Sequence, residues 1–281
     1  MCKRIFAVLF AAASIFPAVL SAQSLWKATR HKPAIGIEWL HPNFKDNDER
    51  LYTTTYSGWV GCASLQVPLS QKMLFVTEWP FVHGHVSSQS SLYNYTMNTK
   101  QNYLGNPYLG FEITEKNAAY VTRVGVRVPL APEDKLIARS IGFFTDYDRF
   151  EAFLSDYLPI MISGSYRQRD ASGLQLKLIG GMSALIYVGD ARGADRLEVF
   201  LNYSPQFEYV TKRVALSGGI TGRLLMTESG DMSGRSIHQL GIQASFAIGR
   251  VWPGVHFRVP LDDSLRAFLK SVWGANVSLE L

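Results

Sequence analysis

The chain has 281 residues, of which 47% are hydrophobic, 18% charged and 12% aromatic, with mean hydropathy +0.02 and formal net charge +5. This hydrophobicity excludes disorder, and the lack of repeated long apolar runs excludes a helical membrane bundle. The charge is mild and no basic cluster interleaves with aromatics, so nucleic acid is not an expected partner.

Residues 1–22 read as a secretory signal. Lys3 and Arg4 precede an apolar stretch from Ile5 to Leu20, and Leu20-Ser21-Ala22 offers small residues for cleavage. The stretch is interrupted by Pro17 and is short for a membrane anchor. Residues 23–281 are then the mature unit. Cys2 leaves with the signal and Cys62 stands alone, so no intramolecular disulfide is expected; Cys62 reads as a small packing residue.

The mature chain alternates with period two. In 236–249, His238, Leu240, Ile242, Ala244, Phe246 and Ile248 alternate with Gln239, Gly241, Gln243 and Ser245. Leu197, Val199, Leu201, Tyr203 and Phe207 do the same against Glu198, Asn202, Ser204, Gln206 and Glu208. Such alternation predicts strands with one apolar and one polar face. Twelve strands are expected, near 34–41, 56–68, 72–82, 106–114, 117–130, 157–168, 172–187, 196–209, 212–226, 235–249, 252–260 and 269–281. Short links alternate with longer ones at 42–55, 83–105, 131–156, 188–195, 227–234 and 261–268. The predicted fold is all-β: a twelve-stranded antiparallel transmembrane β-barrel with short periplasmic turns and long extracellular loops.

The polar faces carry charges that a membrane barrel turns inward. Arg123 and Arg127 share a face opposite Val124 and Val126, Lys177 opposes Leu176 and Leu178, and Arg213 and Arg223 oppose Val214 and Leu224. His256 and Arg258 oppose Val255 and Phe257, while Glu38, Glu78, Glu112, Glu198 and Glu208 supply the opposite sign. These are the candidate lumen-lining residues. They either set the selectivity of an open pore or pair to fill a narrow barrel. Aromatics gather near strand ends: Trp39, Trp59, Trp79 and Trp273 at the long-loop end, Tyr166, Phe207, Tyr209 and Trp252 at the other. Two such belts suit lipid–water boundaries.

Several phrases carry a family resemblance: Val67-Pro68-Leu69-Ser70, Asn106-Pro107-Tyr108-Leu109-Gly110, Gly125 to Pro132, and Asp146-Tyr147-Asp148-Arg149-Phe150-Glu151-Ala152-Phe153. In these the chain resembles a group of porin-like bacterial outer-membrane β-barrel proteins. The resemblance implies residence in the cell outer membrane, with outer-membrane lipid and a small-molecule solute as partners. The matching phrases are turns and strand ends and carry no chemistry of their own.

Among the long links, 131–156 has helical spacing at Lys135 to Ile141 and Tyr147 to Leu154, with Phe143, Phe144, Phe150 and Phe153 free to pack. It either folds into the mouth as a constriction or rests on the rim. Asp262 to Phe268 predicts one or two helical turns capped by Asp262 or Asp263. Three kinds of chemistry have candidate residues. His85-Val86-Ser87 reproduces the H-x-S spacing of barrel lipid hydrolases, a Ser nucleophile beside a His base. His83 and His85 offer two same-face imidazoles to a metal but no third ligand. Asp46, Glu49, Asp146 and Asp148 are loop carboxylates available to a hydrolytic site. No cofactor motif is present. A small-solute channel is the expected function; the alternatives are a barrel hydrolase and a closed structural or adhesive barrel.

Overall fold

The computed structural model describes residues 33–49, 52–90, 95–115, 119–169, 173–190, 197–229 and 232–281; the expected signal at 1–22 lies outside them. The strands are β1 (Ala34–Phe44), β2 (Asn47–Glu49), β3 (Tyr52–Pro68), β4 (Met73–Ser90), β5 (Tyr95–Leu104), β6 (Tyr108–Thr114) and β7 (Tyr120–Arg127). They continue with β8 (Tyr157–Arg169), β9 (Leu174–Tyr187), β10 (Leu197–Val210), β11 (Val214–Leu225), β12 (Ser236–Phe246), β13 (Val251–Pro260) and β14 (Leu269–Glu280). The helices are α1 (Leu136–Thr145), α2 (Met232–Arg235) and α3 (Asp263–Arg266), with a 3₁₀ segment at Tyr147–Phe153.

Twelve of these strands close into one antiparallel ring. β1 pairs with β3 on one side and β14 on the other, from Ala34 opposite Glu280 to Phe44 opposite Leu269. The remaining two strands are extensions. β2 pairs only with β3, and β5 prolongs the line of β6 along the upper half of β4. Ring closure matters because an unpaired strand edge in hydrocarbon leaves several backbone groups without partners.

Alternation sorts the two surfaces. Ile37, Phe207, Val255 and Ile242 point outward and are 58–65% exposed, while the adjacent Glu38, Glu208, His256 and Gln243 are buried inside. An apolar surface around the whole circumference has no place on a water-soluble fold, and lipid accepts it without cost. Trp39, Trp59, Trp79 and Trp273 all face outward. At the opposite end Tyr166, Phe207 and Tyr209 lie outside, with Tyr166 packed on Tyr120 at 5.0 Å. Trp252 departs from the expected belt. It shares a face with Gly254, His256 and Arg258, so strand parity turns it into the lumen, where it is buried.

Two of the expected loops are not loops. The stretch 42–55 contains the end of β1, β2 and the start of β3, and 83–105 is the upper half of β4 followed by β5. Both faces of these segments are rich in Ser, Thr, Asn and Gln. The apolar alternation that marks a lipid-facing strand therefore fades although backbone pairing continues.

The link between β7 and β8 folds inward. α1 lies against the inner faces of β3, β4 and β5 at the barrel mouth. Ala138 and Ile141 join Leu40, Val60, Val82, Tyr103, Phe153, Leu265, Leu269 and Val272 in one apolar cluster. The close approach requires glycine in the wall: a Cβ on Gly84 would stand 2.8 Å from Ala138 Cα, and one on Gly105 would stand 2.4 Å from the Ala152 carbonyl oxygen. Gly105→Ala is expected to displace the 3₁₀ segment and cost about 1–3 kcal/mol, read as faster proteolysis within 131–156 of the folded barrel. Gly218→Ala, whose added Cβ meets nothing nearer than 3.6 Å, should leave the cleavage rate unchanged.

Candidate functional site: an ion-paired plug in the lumen

The octapeptide Asp146–Phe153 intersperses charged residues with aromatic ones, and the wall receives both kinds. All seven residues of the 3₁₀ segment are buried. Arg149 donates to Asp146 Oδ2 at 2.5 Å from its Nε and to Glu38 Oε2 at 2.5 Å from an Nη. Arg258, on β13, reaches Asp146 Oδ1 at 3.1 Å and Asp148 Oδ2 at 3.3 Å. Glu38 Oε1 also lies 3.6 Å from Arg258 and 3.7 Å from His256 Nε2. Wall and plug thus share a single mesh of charge.

A second attachment lies across the lumen. Arg223 on β11 grips Glu151 with both guanidinium nitrogens, at 2.5 and 3.2 Å, and also donates to the Asp148 carbonyl. Ser183 donates to Glu151 Oε1 at 2.8 Å. The same guanidinium covers the Phe150 ring at 4.6 Å, and that ring packs on Phe200 of β10 at 5.1 Å. A bidentate guanidinium–carboxylate pair fixes direction as well as distance.

Asn106 ties the plug's two stems together. It occupies the break between β5 and β6, where Pro107 follows. Its Oδ1 accepts the Leu130 and Ala131 N–H groups at 2.7 and 2.8 Å, and its Nδ2 donates to the Glu151 and Leu154 carbonyls at 3.1 and 2.6 Å. Its own N–H donates to the Ala152 carbonyl at 2.7 Å. One amide thereby satisfies backbone groups on both sides of the inserted segment, which burial would otherwise leave unpaired.

Below the plug the lumen holds further pairs. Glu112 and Arg123 face each other across β6 and β7. Arg127 donates to Glu78 at 3.0 Å and to the Asn106 carbonyl at 3.1 Å. Lys177 donates to Glu208 at 3.0 Å, with Arg167 Nε 3.9 Å from the other Glu208 oxygen. Arg123, Arg127, Lys177 and Arg258 are 2% exposed or less. Other polar atoms here are buried without a protein partner, among them Gln175 Nε2, Gln239 Nε2 and Gln243 Oε1.

The lumen-lining candidates therefore separate into groups. Glu38, Arg223, His256 and Arg258 surround the plug, and Glu78, Glu112, Arg123, Arg127, Lys177 and Glu208 lie in the other lumen pairs. Glu198 shares the inner parity but stands half-buried near the loop end of β10. Arg213 does not line the lumen: it lies in the turn before β11, beyond the pleat, and is exposed. His85 and Ser87 point outward from upper β4, and the hydroxyl within reach of His85 Nδ1 is that of Ser57, at 3.2 Å. Asp46 is exposed, while Asp146 and Asp148 are ion-paired plug residues; the Glu49 side chain lies outside the described residues. Asp262 stands at the N-cap position of α3 without capping it, because its carboxylate bonds His238, whose Nε2 meets Tyr203 OH at 2.5 Å. Sequence reasoning missed Asn106, Arg149 and Glu151 as site residues, although the charged–aromatic octapeptide was a usable signal.

No protein-family model and no curated sequence matches the chain. Solved structures do. A COG4313 outer membrane channel from Pseudomonas putida F1 superposes with TM-score 0.61 at 10% identity, covering 92% of this chain and 98% of that one. The chain has the fold of bacterial outer-membrane β-barrels. The transport unit of the autotransporter AIDA-I from Escherichia coli gives TM-score 0.55 at 10% identity, covering 98% and 96%. At this identity the likeness concerns the fold alone.

Removing one partner of a buried pair strands the other charge. Glu151→Ala should therefore cost about 3–5 kcal/mol, and the double replacement Glu151→Met with Arg223→Met should recover most of that loss. Urea unfolding followed by heat-modifiable gel migration measures both; equal midpoints for the single and double variants would show that the pair is not coupled.

Proposed function

We propose that the chain is an outer-membrane channel for small solutes, exported by its N-terminal signal and closed at rest by the 131–156 plug. The reading rests on one observation: lumen amides such as Gln175 and Gln243 keep buried polar atoms without protein partners beneath a plug tethered by side-chain ion pairs. A core built only for stability is apolar or fully hydrogen-bonded. Buried amide atoms without a protein partner suit water or a polar solute instead. Ion pairs are also a reversible fastening, since solute or ionic strength can replace one partner with another. The COG4313 protein with the similar fold is itself an outer membrane channel, which adds support.

With the plug in place, lumen cations and carboxylates balance. Arg123, Arg127, Arg149, Arg167, Lys177, Arg223 and Arg258 face Glu38, Glu78, Glu112, Asp146, Asp148, Glu151 and Glu208. Asp146, Asp148, Arg149 and Glu151 belong to the plug, so an opened lumen keeps six of these cations against four carboxylates and should favour small anions.

A second reading, a closed structural or adhesive barrel, is favoured by the near-complete burial of the lumen charges. Planar-bilayer recording separates the two. The wild type is expected to open rarely, and Glu38→Gln combined with Glu151→Gln to raise open probability at least about tenfold, a shift of about 1.4 kcal/mol in the gating equilibrium. Replacing 136–153 with a short Gly-Ser linker should give a steady conductance whose reversal potential in a KCl gradient has the sign of chloride preference. A folded linker variant that conducts nothing would establish the structural reading.

A further inference from the structure

We propose that His83 and His85 form a divalent-metal site on the outer face of the β3–β4 hairpin, taking a borderline transition ion of the Cu²⁺, Ni²⁺ or Zn²⁺ class. The proposal is independent of whether the lumen conducts.

Strand geometry supplies the first requirement. His83 lies opposite Trp59 and His85 opposite Ser57 in an unbroken β3–β4 ladder. Residues two apart on a strand share a face about 7 Å apart, within reach of two imidazoles converging on one ion. As members of a loop the pair would have had no fixed relation; as members of a strand they do.

The second requirement is a free nitrogen on each ring. His83 Nδ1 lies 2.6 Å from Asn102 Oδ1 on β5. An amide oxygen only accepts, so the proton sits on Nδ1 and the lone pair on Nε2. His85 Nδ1 lies 3.2 Å from Ser57 Oγ, a hydroxyl that can donate or accept; a metal on Nε2 would select the tautomer whose Nδ1–H donates to it. Metal-bound histidines use this arrangement, with the non-ligating nitrogen donating to a fixed partner that sets tautomer and ring orientation.

Rigidity is the third. The His83 ring stacks on Trp59 at 6.1 Å and 23°. Between the two histidines, Gly84 rests on α1, with Ala138 Cα 2.8 Å from where its Cβ would be. The platform is therefore packed on both faces. Imidazole nitrogen favours Cu²⁺, Ni²⁺ and Zn²⁺ over Ca²⁺ or Mg²⁺. Among the described residues no cluster of three or more His, Cys, Asp or Glu gathers, so the remaining coordination positions go to water. Exposed Lys100 stands opposite His85 and repels a cation, which keeps the affinity modest.

Trp59 provides the readout. Full-length protein folded in detergent is titrated with CuCl₂ while indole emission is followed. Saturable quenching is expected, with Trp59→Phe removing part of the amplitude while calorimetric affinity is unchanged. His83→Gln with His85→Gln should raise the half-saturating concentration at least about 100-fold, and Asn102→Ala about tenfold. His238→Gln, at the partly exposed histidine on β12, should match the wild type. Heat-modifiable migration verifies folding of each variant, and His85→Gln alone serves if the double variant does not fold. Absence of saturation in the wild type, or wild-type binding by the folded double or single variant, overturns the proposal.

Discussion

Closure of β1 onto β14 is the pairing on which everything else depends. In hydrocarbon a free strand edge leaves N–H and C=O groups with neither water nor protein to bond, so the sheet must meet itself. Once it does, strand parity is absolute: every second residue faces lipid and every other one faces a narrow interior. Ile37 and Glu38 are neighbours with opposite fates for this reason alone. The interior then receives all the charge that the outer surface cannot carry, in a volume where an unpaired ion is costly.

The charges answer that constraint by pairing across strands and with the inserted link. Glu112 with Arg123 and Lys177 with Glu208 use neighbouring strands, as an ordinary ladder permits. Glu38, Arg223 and Arg258 find partners instead in Asp146, Asp148, Arg149 and Glu151 of the plug. The upper wall offers apolar residues to α1, and the wall below offers ions to the 3₁₀ segment. Hydrophobic contact seats the plug while charge and Asn106 orient it. A segment fastened in this way is held firmly yet without continuous backbone pairing to the wall.

Much of the fold was legible because lipid imposes a simple pattern. The strands from β8 to β14 begin and end within a few residues of the alternation in the sequence, and the charged face of each points inward as parity requires. Legibility failed where the lipid stops. Upper β4 and β5 carry polar residues on both faces with only scattered apolar ones, so nothing in Val86 to Asn102 distinguishes a strand in water from a loop. Trp252 was assigned by its nearness to a strand end, whereas its side is set by counting from His256. Arg213 has inner parity but sits one residue before its strand, where parity no longer points anywhere.

The sequence by itself determined the number of ring strands, their lipid and lumen faces and the sign of each inward charge, since period-two patterning is local and lipid reads it one residue at a time. Only tertiary structure decided which charges meet. Arg149 and Glu38 are 111 positions apart and Arg258 and Asp146 are 112 apart, and no local rule relates them. Their encounter follows from ring closure and from glycines that let the 131–156 segment descend into the lumen. The low charge fraction of the chain thus has a structural meaning: the charge that the membrane-spanning wall carries is turned inside, and much of it is paired around a plug.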